Sequence, residues 1–187
     1  MGAGTERLPA GPLTYEDYAA LPEDGNRYEL FDGELVVSPA PRPRHQSVSV
    51  KLASRLLAHV EAHALGRIYT APIDVILSPT TVLQPDVVFV ATARAAIITE
   101  RAIEDPPDLV VEILSPGTAR RDRGAKARLY ARFGIAHYWV LDPKAHTFEA
   151  LALDGRSYRQ AASAASTSRI AAAPFADLTL DLASVWD

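Results

Sequence analysis

Two short segments constrain this chain most. Gln84-Pro85-Asp86-Val87-Val88-Phe89-Val90 and Leu109-Val110-Val111-Glu112-Ile113-Leu114 are rich in β-branched residues and, past their polar start, apolar except for one carboxylate each. Runs of this kind read as strands covered on both faces, which puts a sheet in the interior with other elements layered over it. An ionised carboxylate carried into such a place costs several kcal/mol or more unless something pairs with it. Asp86 and Glu112 both break that rule. Where the two strands are neighbours the carboxylates converge, and with a nearby backbone carbonyl they form a seat for Mg²⁺ or Mn²⁺. In the competing reading each acid pairs separately with an arginine or caps a backbone group. That reading needs two unrelated accommodations in adjacent strands.

The segments around them set the expected architecture. Thr14 followed by Asp17 forms a capping-box-like start for a short helix reaching about Leu21. Tyr28-Glu29-Leu30-Phe31 and Glu34-Leu35-Val36-Val37 flank Asp32-Gly33, a tight-hairpin signal, and the prolines 39, 41 and 43 make a stiff connector. Val48, Leu52, Leu56 and Val60 recur every four residues within 44–65, which predicts a long amphipathic helix stopped by Gly66. Strands are expected over 67–77, 84–90 and 108–114, then a helix over 119–133 closed by Gly134, then a fourth strand at Tyr138-Trp139-Val140-Leu141. A second hairpin is expected around Asp154-Gly155, with 161–173 as an edge or loop and an apolar tail at Leu178, Leu180, Leu182 and Trp186. The fold class is therefore α/β: a helix, a three-strand meander, a helix and a strand, with hairpins added at both ends.

On a helical wheel, Asp122, Lys126, Leu129 and Phe133 share one face of the second helix, while Arg120, Arg121, Arg128 and Arg132 take the other. Leu129 and Phe133 belong to the core, so Lys126 and Asp122 point inward. A lysine aimed at two strand carboxylates can orient a nucleophile or neutralise developing phosphate charge. The plainer alternative is an i,i+4 pair of Asp122 with Lys126 at the surface, worth only about 0.2–0.5 kcal/mol. Gln84 adjoins Asp86 as a supporting residue. Glu34, in the hairpin's second strand, is a possible third acid, and its alternative is an exposed strand position.

The 187 residues include 23 acidic and 19 basic side chains, a net charge of −4, so a basic nucleic-acid coat is excluded while a local basic face is not. Arg42 and Arg44 in the connector and Arg120, Arg121 and Arg123 on the helix are the main basic concentration. They can follow a phosphate backbone, or can simply be a solvated face. With no cysteine, a disulfide scaffold, a thiolate zinc site and a thiol nucleophile are out, and a reducing cytoplasm is the expected location. Length predicts one domain over 13–187 behind a flexible leader over 1–12. No apolar run approaches the roughly 18 residues of a membrane span. Glycine-rich phosphate loops and a G-x-S-x-G elbow are missing, which disfavours a nucleotide cofactor and a serine hydrolase. His59-Val60-Glu61-Ala62-His63 has Val where a metalloprotease helix needs Glu, so zinc is not expected there.

Taken together in order, the Tyr28–Leu35 hairpin, the Asp after Gln-Pro, Val-Val-Glu-Ile-Leu-Ser-Pro, the Asp-x-x-x-Lys helix and Tyr-Trp-Val-Leu-Asp-Pro resemble the Uma-type restriction endonuclease-like family of the PD-(D/E)XK phosphodiesterase superfamily. The likeness covers about residues 13–187. It implies a restriction-endonuclease-like core in which Asp86 and Glu112 hold the divalent metal, with the backbone carbonyl of Ile113 completing the protein ligands, and Lys126 is the catalytic lysine. It also implies DNA as the substrate. Leu114 stands two residues after Glu112, where the superfamily usually has lysine, and Lys126 fits a shift of that lysine to the next helix. His45, on the stripe of the long helix, resembles the family's His-Gln pair and can reach the rim of the metal site or a phosphate; its alternative is a hydrogen-bonded, structural histidine on an apolar stripe. One site per chain needs two copies to cut both strands, so a homodimer is expected. A non-catalytic binding module that keeps the fold, and a hydrolase of RNA or small phosphodiesters, are the alternatives.

Overall fold

A computed structural model describes residues 11–22, 24–38 and 40–186. Residues 1–10 of the expected leader lie outside them, as does Pro39 of the connector. The architecture is mixed α/β. α1 (Tyr15–Ala19) opens on a complete capping box, with the Thr14 hydroxyl accepting from Asp17 N–H and the Asp17 carboxylate accepting from Thr14 N–H. β1 (Arg27–Phe31) and β2 (Glu34–Ser38) pair around Asp32 and Gly33, both at positive φ as a tight hairpin turn demands. α2 (Pro43–Ala62) follows, burying Val48, Leu52, Leu56 and Val60 as one stripe.

β3 (Gly66–Thr70), β6 (Val87–Ala91) and β7 (Leu109–Ile113) pair antiparallel in that spatial order. β7 then pairs parallel with β8 (His137–Asp142), and the crossover is helical. That crossover is α3 (Ala119–Arg121), a π-helical turn over Asp122–Lys126, and α4 (Ala127–Arg132). β9 (Thr147–Asp154) and β10 (Ser157–Ala165) complete a six-stranded sheet. One face of it meets α2 through Phe89, Val111 and Trp139, together with Leu180, Leu182 and Trp186 of the tail. The other face meets the crossover through Val110, Tyr138 and Val140 against Leu129 and Tyr130. Side chains alternate across a strand, so Glu112 takes the Val110 face, toward the crossover.

Two expectations need correction. The strand expected over 67–77 ends at Thr70, because Pro72 has no N–H to give a ladder. The chain then leaves the large sheet: β4 (Val75–Ser78) and β5 (Thr81–Leu83) join β1 and β2 in a second, four-stranded sheet ordered β2-β1-β5-β4. Second, the long helix stops at Ala62 with Ala64 in the left-handed region, before Gly66. Gly66 serves close approach instead, since a Cβ there would lie 2.1 Å from the Val90 carbonyl oxygen. The segment 161–173 takes the expected edge position: β10 runs to Ala165 at the edge of the large sheet, and β11 (Arg169–Ala172) pairs with β12 (Phe175–Asp181) in a two-stranded sheet. The short α5 (Ala183–Trp186) packs Val185 and Trp186 into the core. No helix among the described residues is long and apolar enough to cross a membrane.

Candidate active site

The departure of β4 and β5 matters because it brings the N-terminal hairpin to the end of the large sheet. Leu30 of β1 pairs with Val82 of β5, and the Gln84 N–H two residues on donates to Glu29 Oε1 at 2.8 Å. A cavity of about 160 Å³ lies where the hairpin, the start of α2, the end of β7 and the π-helical turn meet. Glu29, Asp86, Glu112 and Asp122 line it, each at most 3% exposed, together with Arg27 and Lys126.

Asp86 stands one residue before β6. Its N–H still donates to the Val111 carbonyl, and carrying the Val87–Val111 register one step further sets Asp86 opposite Glu112. Each Asp86 oxygen is engaged. Oδ1 accepts from Arg27 Nη1 at 3.1 Å, while Oδ2 accepts from Ile113 N–H at 2.7 Å and lies 3.1 Å from His45 Nε2. Burial raises the pKa of this carboxyl, but His45, Arg27 and the Ile113 N–H outweigh it and hold the group below its ordinary value.

Lys126 lies between two carboxylates, 2.7 Å from Glu112 Oε1 and 2.8 Å from Glu29 Oε1. Burial lowers its pKa, yet Glu112 and Glu29 outweigh that and raise it, so Lys126 stays an ammonium. Glu112 has only a share in this cation. Burial pushes its carboxyl up to about 8 against the pull of Lys126, and Asp122 and Asp86 push the same way. Burial also raises Asp122, again against Lys126. Tyr130 OH donates to Glu112 Oε1 at 2.6 Å, and burial keeps that phenol neutral. Both donors to Glu112 use Oε1, which leaves Oε2 without a hydrogen bond among the described residues. The π-helical turn carries Asp122 and Lys126 inward together, each 2% exposed, and such single-turn distortions recur at functional sites.

The donor set fits a divalent cation on charge. Four carboxylates, each at most 3% exposed, share the cavity with one equally buried cation, Lys126, and burial raises the Glu112 and Asp122 carboxyls. No three His, Asp or Glu side chains gather as a metal cage among the described residues. Mg²⁺ needs no such cage, since it is usually held by one or two carboxylates and keeps its waters.

The remaining candidates divide. His45, Ile113, Arg42 and Arg121 line the same cavity, and Arg121 donates to Ser38 Oγ at 2.5 Å. Gln84 does not line it. Its side chain donates to Tyr18 OH and to Asp74 Oδ1, so it acts on the site through its backbone bond to Glu29. Glu34 is exposed and outside the cavity: it pairs with Phe31 at the turn end of the hairpin, whereas Arg27 and Ser38, paired at the open end, line the cavity. Arg44 contacts His146, Arg123 grips Glu149 with two bonds of 2.7 and 2.9 Å, and Arg120 is exposed away from the cavity. Glu29, Arg27 and Tyr130 were not expected here from sequence. The proline inside the 67–77 run was the available signal, since a broken strand frees the chain to bring another element in.

Residues 15–183 match the Uma2 family, described as "Putative restriction endonuclease", and the chain belongs to that family. It is 30% identical over 143 residues to the uncharacterized protein slr1290 of Synechocystis sp., covering 75% of this chain and 74% of that one. Its fold is similar to a crystal structure from Anabaena variabilis ATCC 29413 described as "a putative nuclease belonging to DUF820". That likeness has a TM-score of 0.77 at 18% identity, over 94% of this chain and 98% of the other.

Proposed function

We propose that this protein is a divalent-metal-dependent phosphodiesterase that cleaves DNA. The observation that carries the reading is four carboxylates, each at most 3% exposed, on one cavity where Lys126 is the one equally buried cation among the described residues. Asp86, Glu112 and the Ile113 carbonyl would hold Mg²⁺ or Mn²⁺, which when bound supplies a more acidic water and Lewis-acid stabilisation of the phosphate. Lys126, fixed as an ammonium by Glu29 and Glu112, cannot take a proton. Its role is to orient the nucleophile and offset negative charge growing on the phosphate. His45 and Arg27 hold the Asp86 carboxylate in place, and Tyr130 does the same for Glu112. Arg42 and Arg121, at the cavity rather than on the outer helix face, are the arginines placed to meet the substrate's phosphates. Two copies, each cutting one strand, complete a double-strand break.

Supercoiled plasmid incubated with the purified protein in Mg²⁺ and in Mn²⁺ tests this. Nicking by the wild type that is lost in Asp86→Asn and Glu112→Gln supports the enzyme. Equal background in all three favours a binding module. Faster turnover of RNA or of a chromogenic phosphodiester than of plasmid would reassign the substrate, and a strictly monomeric mass by light scattering would remove the dimer.

A further inference from the structure

Arg27, His45 and Asp86 form a wall with space on both sides. Beyond the reaction cavity they line a second cavity of about 300 Å³, closed by Ser49 and Gln46 of α2, by Pro41 and Pro72, and by Gln84. That volume is at the lower end of small-ligand sites, roughly 300–1,000 Å³. Its polar groups are set rather than adaptable. Gln84 Nε2 donates to Asp74 Oδ1 at 2.9 Å and to Tyr18 OH at 3.0 Å, which fixes the amide's orientation and leaves Oε1 as an acceptor. That oxygen, His45 Nδ1, and Arg27 Nε and Nη2 are buried with no hydrogen-bond partner among the described residues. Buried polar atoms left unpaired cost free energy, so the residues lining this cavity carry an acceptor and donors that call for partners. The amide of Gln46 and the flat faces of Pro41 and Pro72 add a polar edge and apolar walls.

We infer that this second cavity takes an unpaired nucleobase, that of the nucleotide adjoining the phosphate in the reaction cavity. The inference rests on the nuclease reading and narrows its substrate to DNA with an unstacked or single-stranded nucleotide at the cut. The shared wall sets the geometry: a phosphate facing Asp86 from one side has its own nucleoside within reach of the other. A base inside a duplex has its edge paired and its faces stacked, so it must leave the stack to enter a pocket lined this way. An amide acceptor and apolar planes are what a base edge and base face require.

The test is binding in EDTA, so that no chemistry occurs: dAMP and dCMP are compared with 2-deoxyribose 5-phosphate by titration calorimetry. Wild type should bind the nucleotides roughly tenfold or more tighter than the sugar phosphate. Ser49→Leu, which fills the second cavity, should remove that difference, and Gln46→Ala, at its rim, should narrow it even if the buried substitution compromises folding. Equal affinity for nucleotide and sugar phosphate in the wild type overturns the inference. So does a preference that survives both substitutions. Cleavage of plasmid and of single-stranded DNA in Mn²⁺ reports separately: nucleotide preference with neither substrate cleaved sinks the nuclease reading, and cleavage without nucleotide preference sinks only the base pocket.

Discussion

Lys126 and Arg123 lie three residues apart in one helical crossover, and both form ion pairs with glutamate. Lys126 is 2% exposed and lies between Glu29 and Glu112; the Arg123 side chain is 41% exposed and grips Glu149 across the protein surface. Water and salt supply nearly all that Arg123 gains from its partner, so such pairs contribute about 0.2–1 kcal/mol. Nothing substitutes for the partners of Lys126. Two carboxylates out of water depend on it, and breaking a buried arrangement by removing one member costs about 3–5 kcal/mol. Burial is what makes a charge informative: a buried charge persists only with a defined set of neighbours, whereas an exposed one needs no reason to be where it is.

The comparison breaks first at Lys126→Ala. Its stability should fall by about 3–5 kcal/mol, which for a chain of this size lowers the melting temperature by roughly 6–20 °C in a thermal scan. A loss of under 1 kcal/mol would mean that the Lys126 pairs are as weak as surface ones. Cleavage by this variant is then a poor guide to mechanism, so chemistry is better read at Asp86. Asp86→Asn keeps the shape of the side chain while removing its charge and one of the two oxygens that accept from Arg27 and the Ile113 N–H. It should lower plasmid cleavage by about 10²–10³, with a smaller effect on melting than Lys126→Ala.

Glu112 sharpens the comparison through pH. Its folded pKa, raised to about 8, means that between its ordinary value and about 8 the folded chain binds a proton that the unfolded chain does not. The resulting stabilisation is present at low pH and declines as pH rises through about 8, and Glu112→Gln should abolish that slope. A cation must displace the same proton. Half-saturating Mn²⁺, followed by its effect on melting, should therefore fall by up to about tenfold for each pH unit between 6 and 8. No change over that range would place the cation elsewhere. His45→Ala, which removes a group that holds Asp86 without being a proposed ligand, should weaken Mn²⁺ about 10- to 100-fold, with cleavage largely restored at saturating Mn²⁺.

The same distinction decides how much of the molecule was legible in sequence. Asp86 and Glu112 stood out because a carboxylate in an apolar strand is costly. Lys126 and Asp122 stood out because Leu129 and Phe133 fixed which side of their helix faces inward. Glu29 gave no such sign. In Arg27-Tyr28-Glu29-Leu30-Phe31 it occupies an ordinary alternating position of a hairpin that reads as half-exposed, and its burial follows from β5 docking beside β1 and from the crossover, whose Lys126 reaches it. That docking follows from the break at Pro72, a tertiary consequence that a local pattern does not carry. Glu34, with better apparent credentials in the same hairpin, sits at the turn end, beyond the cavity. The arginine row was legible as charge but not as pairing, because Glu149 is 26 residues from Arg123 and on a different element.

The smallest expected effect tests the other half of the comparison. Arg123→Ala removes both bonds to Glu149, yet leaves Glu149 at a surface where water replaces them. Its melting temperature should move by no more than about 1 kcal/mol is worth, roughly 2–4 °C, and less in 0.5 M salt, where the pair is screened. Plasmid cleavage should be unchanged, while Arg121→Ala, at the cavity, should slow it. Were Arg123→Ala to slow cleavage as much as Arg121→Ala, the phosphate path would run over the outer helix face after all. The Arg123–Glu149 pair would then be a resting contact that gives way when substrate binds.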